Sequence, residues 1–156
     1  MVEVISYVKQ GDDFIPVSTF GANLRDPDYI DGAIELVINH RPILTTAMWD
    51  LVDQLWSYIA GGLTDVVQGK PFFTHFPDQP AELHITPVNP YMVKVRTVAG
   101  GVSRSEVVAL DELIDTLSRE GISFFGKMCD LNPAHSVSYQ HSIHVLESLQ
   151  SPVRVD

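Results

Sequence analysis

The chain is predicted to fold as one α+β domain, an antiparallel β-sheet with two main helices packed on one face, in the order ββββ-α-βββ-α. Three observations predict this class. Short segments alternate apolar and polar residues with a period of two and are joined by brief turns, as antiparallel hairpins are. Two longer segments each carry one apolar stripe at helical spacing, which needs a sheet face to cover. The strand–helix–strand alternation of a parallel sheet is missing. A chain of 156 residues, 45% of them hydrophobic, suits a single core, so one domain over 1–156 is expected. At that length about two-thirds of the unfolded surface is buried, and folding requires neither a disulfide nor a metal.

Val2–Lys9 and Phe14–Phe20 are β-prone and flank Gln10-Gly11-Asp12-Asp13, which reads as a hairpin loop. Pro16 removes a ladder donor, so the second segment is expected at an edge or only partly as strand. Gly21–Asp31 is dense in turn residues, with Asn23, Asp26-Pro27-Asp28 and Asp31-Gly32, and reads as a surface loop. Residues 1–31 thus form an N-terminal hairpin and loop. Ala33–Ile38 alternates, with Ile34, Leu36 and Ile38 on one side. Asn39-His40 suits a two-residue turn because asparagine tolerates positive φ. Arg41–Leu44 returns, and Pro42 marks an edge.

Thr45-Thr46 offers a hydroxyl cap to the first helix. Its stripe runs Met48, Leu51/Val52, Leu55/Trp56, Ile59, Leu63 and Val66, and Gly69 is placed to end it in a left-handed conformation. Gly61-Gly62 costs about 1 kcal/mol per glycine relative to alanine; the pair reads as a kink or a close helix–sheet contact. Lys70–Pro80, with Phe72-Phe73 and Phe76-Pro77-Asp78-Gln79-Pro80, reads as a stiff connector anchored by aromatics. Glu82–Thr86, Tyr91–Val98 and Ser103–Ala109 then form a meander with one wet face, turning at Asn89-Pro90 and Gly100-Gly101. The second helix starts near Leu110-Asp111, where Asp111, Glu112 and Asp115 complement its positive end. It ends by Asn132-Pro133. Residues 134–156 are weakly patterned; a short helix fits Ser138–Gln150, and the last six residues are expected to be mobile.

Twenty acidic side chains face ten basic ones, a formal charge of −10. Such a field repels phosphate backbones and anionic lipid, so neither nucleic acid nor membrane is expected as a partner. The lone Cys129 allows no internal disulfide and fits a reducing compartment. No basic segment precedes the apolar residues of Val2–Val8, and no apolar run reaches the roughly 20 residues of a membrane span. The expected compartment is the cytoplasm.

Catalytic motifs are sparse. His141, His144 and Glu147 fan over about 120° of a helix, short of the three or four convergent ligands a zinc site needs. Cys129 beside Asp130 near a helix C-terminus is a poor thiolate. No serine lies in a Gly-x-Ser-x-Gly elbow and no glycine loop suits a nucleotide. No metal, cofactor or catalytic residue is therefore expected. The charge, by contrast, is lopsided: residues 1–65 hold ten acids against three bases. Asp26, Asp28, Asp31, Glu35, Asp50 and Asp53 come from the long loop, the next hairpin and the first helix start. They are the candidate residues of a negative patch that steers and docks a basic protein.

The stretch Gly32–Leu131, with its strand and Trp-containing helix, its Phe76-Pro77-Asp78-Gln79-Pro80 and its Phe124-Phe125 helix, resembles small uncharacterised bacterial α+β proteins. In size, acidity and layout the chain is similar to immunity proteins that neutralise secreted bacterial toxins. The resemblance implies a non-catalytic inhibitor of a basic toxin or nuclease; residues 1–31 and 132–156 lie outside it. A second reading is an enzyme or small-ligand domain with His75, Asp78, His84 and Arg96 converging on a pocket between sheet and helices. A third is an oligomerising accessory protein that pairs subunits through an exposed apolar patch.

Overall fold

The computed structural model describes residues 1–150. The expected mobility of the last six falls outside them. The chain is α+β and antiparallel throughout, but its strands form two sheets rather than one. In the first sheet, β1 (Val2–Gln10), β2 (Asp13–Pro16), β3 (Asp31–Ile38) and β4 (Arg41–Leu44) lie in the order β2-β1-β3-β4, and the two-residue β5 (Asp50–Leu51) pairs with the start of β3. The second is a meander of β6 (Phe72–His75), β7 (Ala81–Asn89), β8 (Met92–Ala99) and β9 (Val102–Ala109) in sequential order. The helices are α1 (Val52–Val66), α2 (Leu110–Leu131) and α3 (Ser136–Leu149).

The predicted order and the count of two helices are therefore corrected. Residues 46–51, expected to open the first helix, form a 3-10 turn and β5 instead, because the Asp50 and Leu51 backbones pair with Gly32 and Asp31. Phe72–His75, read as connector, is a strand because its own alternation matches β7. The 134–149 stretch holds a full helix. Its buried residues are Tyr139, Ser142, Leu146 and Leu149, a stripe half polar in composition because α3 packs on the other helices rather than on a sheet.

Local chemistry explains the joints. Asn39 and His40 take φ of 51° and 66°, the two positive values of the tight hairpin turn. Gly69 ends α1 at φ 78°. Gly62 faces the Phe72 ring so closely that a Cβ would overlap it, so this glycine of the pair serves a helix–sheet contact, while Gly61 faces open space. Gly121 likewise admits Leu146 and Trp56, which would lie 2.6 and 3.1 Å from an added Cβ. Trp56 stacks on Phe124 at 6.0 Å and donates its indole N–H to Ser6 Oγ at 2.9 Å.

One sheet edge has an unusual cover. Where β2 stops, α2 runs beside β1, and Glu112 accepts the Val2 N–H (2.8 Å) while Glu120 accepts the Ser6 N–H (3.2 Å) and hydroxyl (2.8 Å). Eight helical residues rise about 12 Å and four strand residues about 13 Å, so the two carboxylates match the strand's repeat. Unpaired edge donors, an aggregation hazard, are satisfied in this way. The two sheets meet along β4: Thr97 Oγ1 donates to the Ile43 carbonyl (2.6 Å) and Arg41 pairs with Glu106 (3.2 Å).

Candidate functional site

The 21–30 loop leaves the first sheet after the β2 segment and re-enters at Asp31. Its return is fixed from two sides. Gly32 packs directly on the Tyr7 backbone, with no space for a Cβ, and the Ile30 carbonyl accepts the Val52 N–H at 2.9 Å. The acidic loop, the start of β3 and the start of α1 are thereby brought together.

Within this region the six candidate acids have different fates. Asp26 and Asp31 line a cleft of about 490 Å³ between the loop and the β1–β2 hairpin, whose apolar lining comprises Val8, Phe20, Leu24 and Ile30. Tyr29, 66% exposed, stands at the same cleft. Lys9 and Arg25 also line it, but the Lys9 ammonium is held by the Gly11 carbonyl and lies 4.5 Å over the Trp49 ring. Asp28 and Asp53 instead line a smaller cleft of about 220 Å³ shared with His135, Tyr139 and Ser142. There Asp28 meets His135 Nε2 at 3.0 Å, and Tyr139 donates its hydroxyl proton to Asp53 at 2.8 Å. Asn132 completes the network, donating to the Tyr139 oxygen (3.0 Å) and to the Pro27 carbonyl (2.8 Å). Burial, and then the Asp53 carboxylate, push the Tyr139 hydroxyl far above its ordinary range. It therefore remains a proton donor throughout the physiological range.

Two of the six are not at the surface patch as expected. Asp50 is 2% exposed and accepts backbone N–H groups from Leu51 (2.7 Å), Asp78 (3.1 Å) and Gln79 (2.7 Å). Its charge is spent on the proline-rich turn between β6 and β7. Glu35 lies farther along β3, half-buried, and accepts the Tyr7 hydroxyl at 3.2 Å. Burial, then the Glu35 charge, raise the Tyr7 pKa.

The alternative pocket between sheet and helices is not formed by its proposed residues. Leu83, Ile85, Val93 and Val95 fill the inner side of the second sheet, and alternation turns His84 and Arg96 to the outer side with His75. Asp78 sits in the turn held by Asp50. Cys129 has a raised pKa, through burial first and the neighbouring Asp130 second, in line with the expectation of a poor thiolate. Among the described residues no group of three or more His, Cys, Asp or Glu side chains could hold a metal ion, and no helix is long and apolar enough to cross a membrane.

Sequence reasoning passed over three participants. Asp12 and Asp13 were spent on the hairpin turn, yet both are exposed beside Gly11, a wall of the larger cleft. Tyr29 carried a signal in plain view, the one aromatic of the 21–30 loop. No family model matches the chain, and neither a curated protein nor a solved structure matches it.

Proposed function

We propose that the protein is a non-catalytic binding module whose acidic front receives a basic protein, in the manner of an immunity protein that neutralises a cationic toxin or nuclease. The observation that carries this reading is the larger cleft. Its apolar lining suits the aliphatic stem of an arginine or lysine, and the Asp26 and Asp31 carboxylates in that lining would take the charged head, with Lys9 turned to the Gly11 carbonyl and Arg25 displaced from the acids. Long cationic side chains bind best in that divided setting, stem against carbon and head against carboxylate. Asp12 and Asp13, exposed next to Gly11 of its wall, and Asp28, exposed in the same loop as Asp26, would add the longer-range attraction that speeds encounter. Asp50, being buried, takes no part.

The test pairs two baits: the native chain, and a variant with Asp26→Asn, Asp28→Asn and Asp31→Asn. The native chain should capture a basic protein whose association rate falls at least tenfold between about 50 and 500 mM salt, since exposed charges are screened within about 10 Å at 0.1 M. The triple variant should lose most of that rate. Equal capture and equal rates by both baits would refute the reading.

The same cleft also favours a second reading. Its volume lies within the range of small-molecule sites, about 300–1,000 Å³, and a lining that holds Arg25 together with Asp26 and Asp31 would suit a zwitterion such as an amino acid. Stabilisation by free arginine at millimolar concentration, with glutamate and glycine as controls, separates a small-ligand site from a protein-docking one.

A further inference from the structure

The outer face of the second sheet differs from the acidic front in its balance of charge. Antiparallel register sets Phe73, His84, Arg96 and Ser105 in one cross-strand row, with His75 and Glu82 on one side of it and Lys94 on the other. Phe73 is 49% exposed. Its ring lies between two imidazoles, 4.9 Å from His75 and 4.6 Å from His84 by centroid. Glu82 contacts His84 at 3.0 Å. Arg96 is fixed by donation from Nε to Ser103 Oγ at 3.1 Å. Among the described residues neither Arg96 nor Lys94 has an ion-pair partner. In a chain with twice as many acids as bases, this face therefore presents two unmatched cations beside an exposed aromatic ring.

We propose that this face docks a segment of another protein that presents carboxylates next to an aromatic or aliphatic side chain. The positioned guanidinium can take a carboxylate through its terminal nitrogens, and Phe73 supplies the flat apolar contact that anchors such a residue. A nucleic acid fits the face less well. Its affinity comes from neutralising many phosphates at once, whereas the two cations of this face, Arg96 and Lys94, match a short segment with one or two carboxylates. The surface is independent of the acidic front, and its failure would leave the reading of that front untouched.

The experiment measures fluorescence anisotropy of a labelled peptide of alternating glutamate and phenylalanine, with a labelled uridine oligonucleotide alongside. Variants are Phe73→Ser, Arg96→Ser and Lys94→Ser, all on the solvent side of the sheet, with circular dichroism and thermal unfolding as folding checks. The native chain should bind the peptide, and Phe73→Ser and Arg96→Ser should each weaken it about tenfold while unfolding unchanged. Amide shifts on titration should cluster on β6–β8. Four results would overturn the proposal: no peptide binding, equal binding by all variants, oligonucleotide binding in place of peptide, or self-association of the native chain abolished by Arg96→Ser.

Discussion

Asp50 shows how a single carboxylate can be misassigned by charge alone. Its negative charge is directed at three backbone N–H groups inside the molecule, and charge-assisted bonds of this kind are roughly twice as strong as neutral ones. Asp50→Ala leaves those donors without an acceptor and is expected to cost about 3 kcal/mol or more by urea unfolding. Amide exchange at Asp78 and Gln79 should accelerate with it; unchanged protection there would contradict the assignment. Tyr139 gives a pH-dependent counterpart. Its hydroxyl pKa is raised in the folded state, so above about pH 10 the unfolded chain releases this proton first. The stability contributed by the Tyr139–Asp53 bond is present at neutral pH and is lost as pH rises beyond that point. Tyr139→Phe should cost about 1–2 kcal/mol at pH 7, and the difference from native should shrink at pH 11. A gap that widens instead would place the proton elsewhere.

At the scale of elements, legibility followed what each segment touches. Strands β7 to β9 of the meander and the stripe of α2 were readable because each packs one continuous apolar face on the core, whereas the four residues of β6 sit among prolines and read as connector. The diglycine of α1 was readable as a kink or a close contact; that Gly62 makes the contact, and with Phe72, was not, since that pairing spans two elements. β5 was hidden because two residues cannot show a period; only the Asp31 and Gly32 backbones define it. The cover of β1 by Glu112 and Glu120 was equally hidden, as nothing in either segment announces the other. Burial raises the Glu120 pKa, against the lowering effect of its bonds from Ser6. The folded state therefore holds this proton to higher pH than the unfolded chain, and the ionised form carries a net cost. Glu120→Gln keeps an oxygen for Ser6 without that cost. Between about pH 4.5 and 7 the native chain should lose stability relative to this variant as pH rises, measured by urea titration at both ends. A relative gain would reverse the assignment.

Across the whole molecule the surplus charge is partly gathered and partly spent. Asp26 and Asp31 share one cleft, Asp28 and Asp53 another, while Glu35 and Asp50 serve internal bonds. Sequence proximity groups these residues because loop, β3 and α1 follow one another closely. It could not tell outward from inward carboxylates, since that depends on β5 turning Asp50 toward a strand connection nearly thirty residues on. His84 and Arg96, grouped for a pocket between sheet and helices, lie on the outer side of the meander because Leu83 and Val95 fill the inner one, and His75 belongs to a strand that reads as connector in the sequence.

The central claim is that an arginine or lysine side chain of a partner enters the cleft at Asp26 and Asp31. The most direct measurement is a ¹⁵N–¹H correlation titration with a hexa-arginine peptide at low salt. Amide shifts are predicted to concentrate in Gln10–Asp13 and Leu24–Asp31, and to vanish in the Asp26→Asn, Asp28→Asn, Asp31→Asn variant. Shifts spread evenly over remote carboxylates such as Asp115 and Glu147, surviving in that variant, would contradict the account.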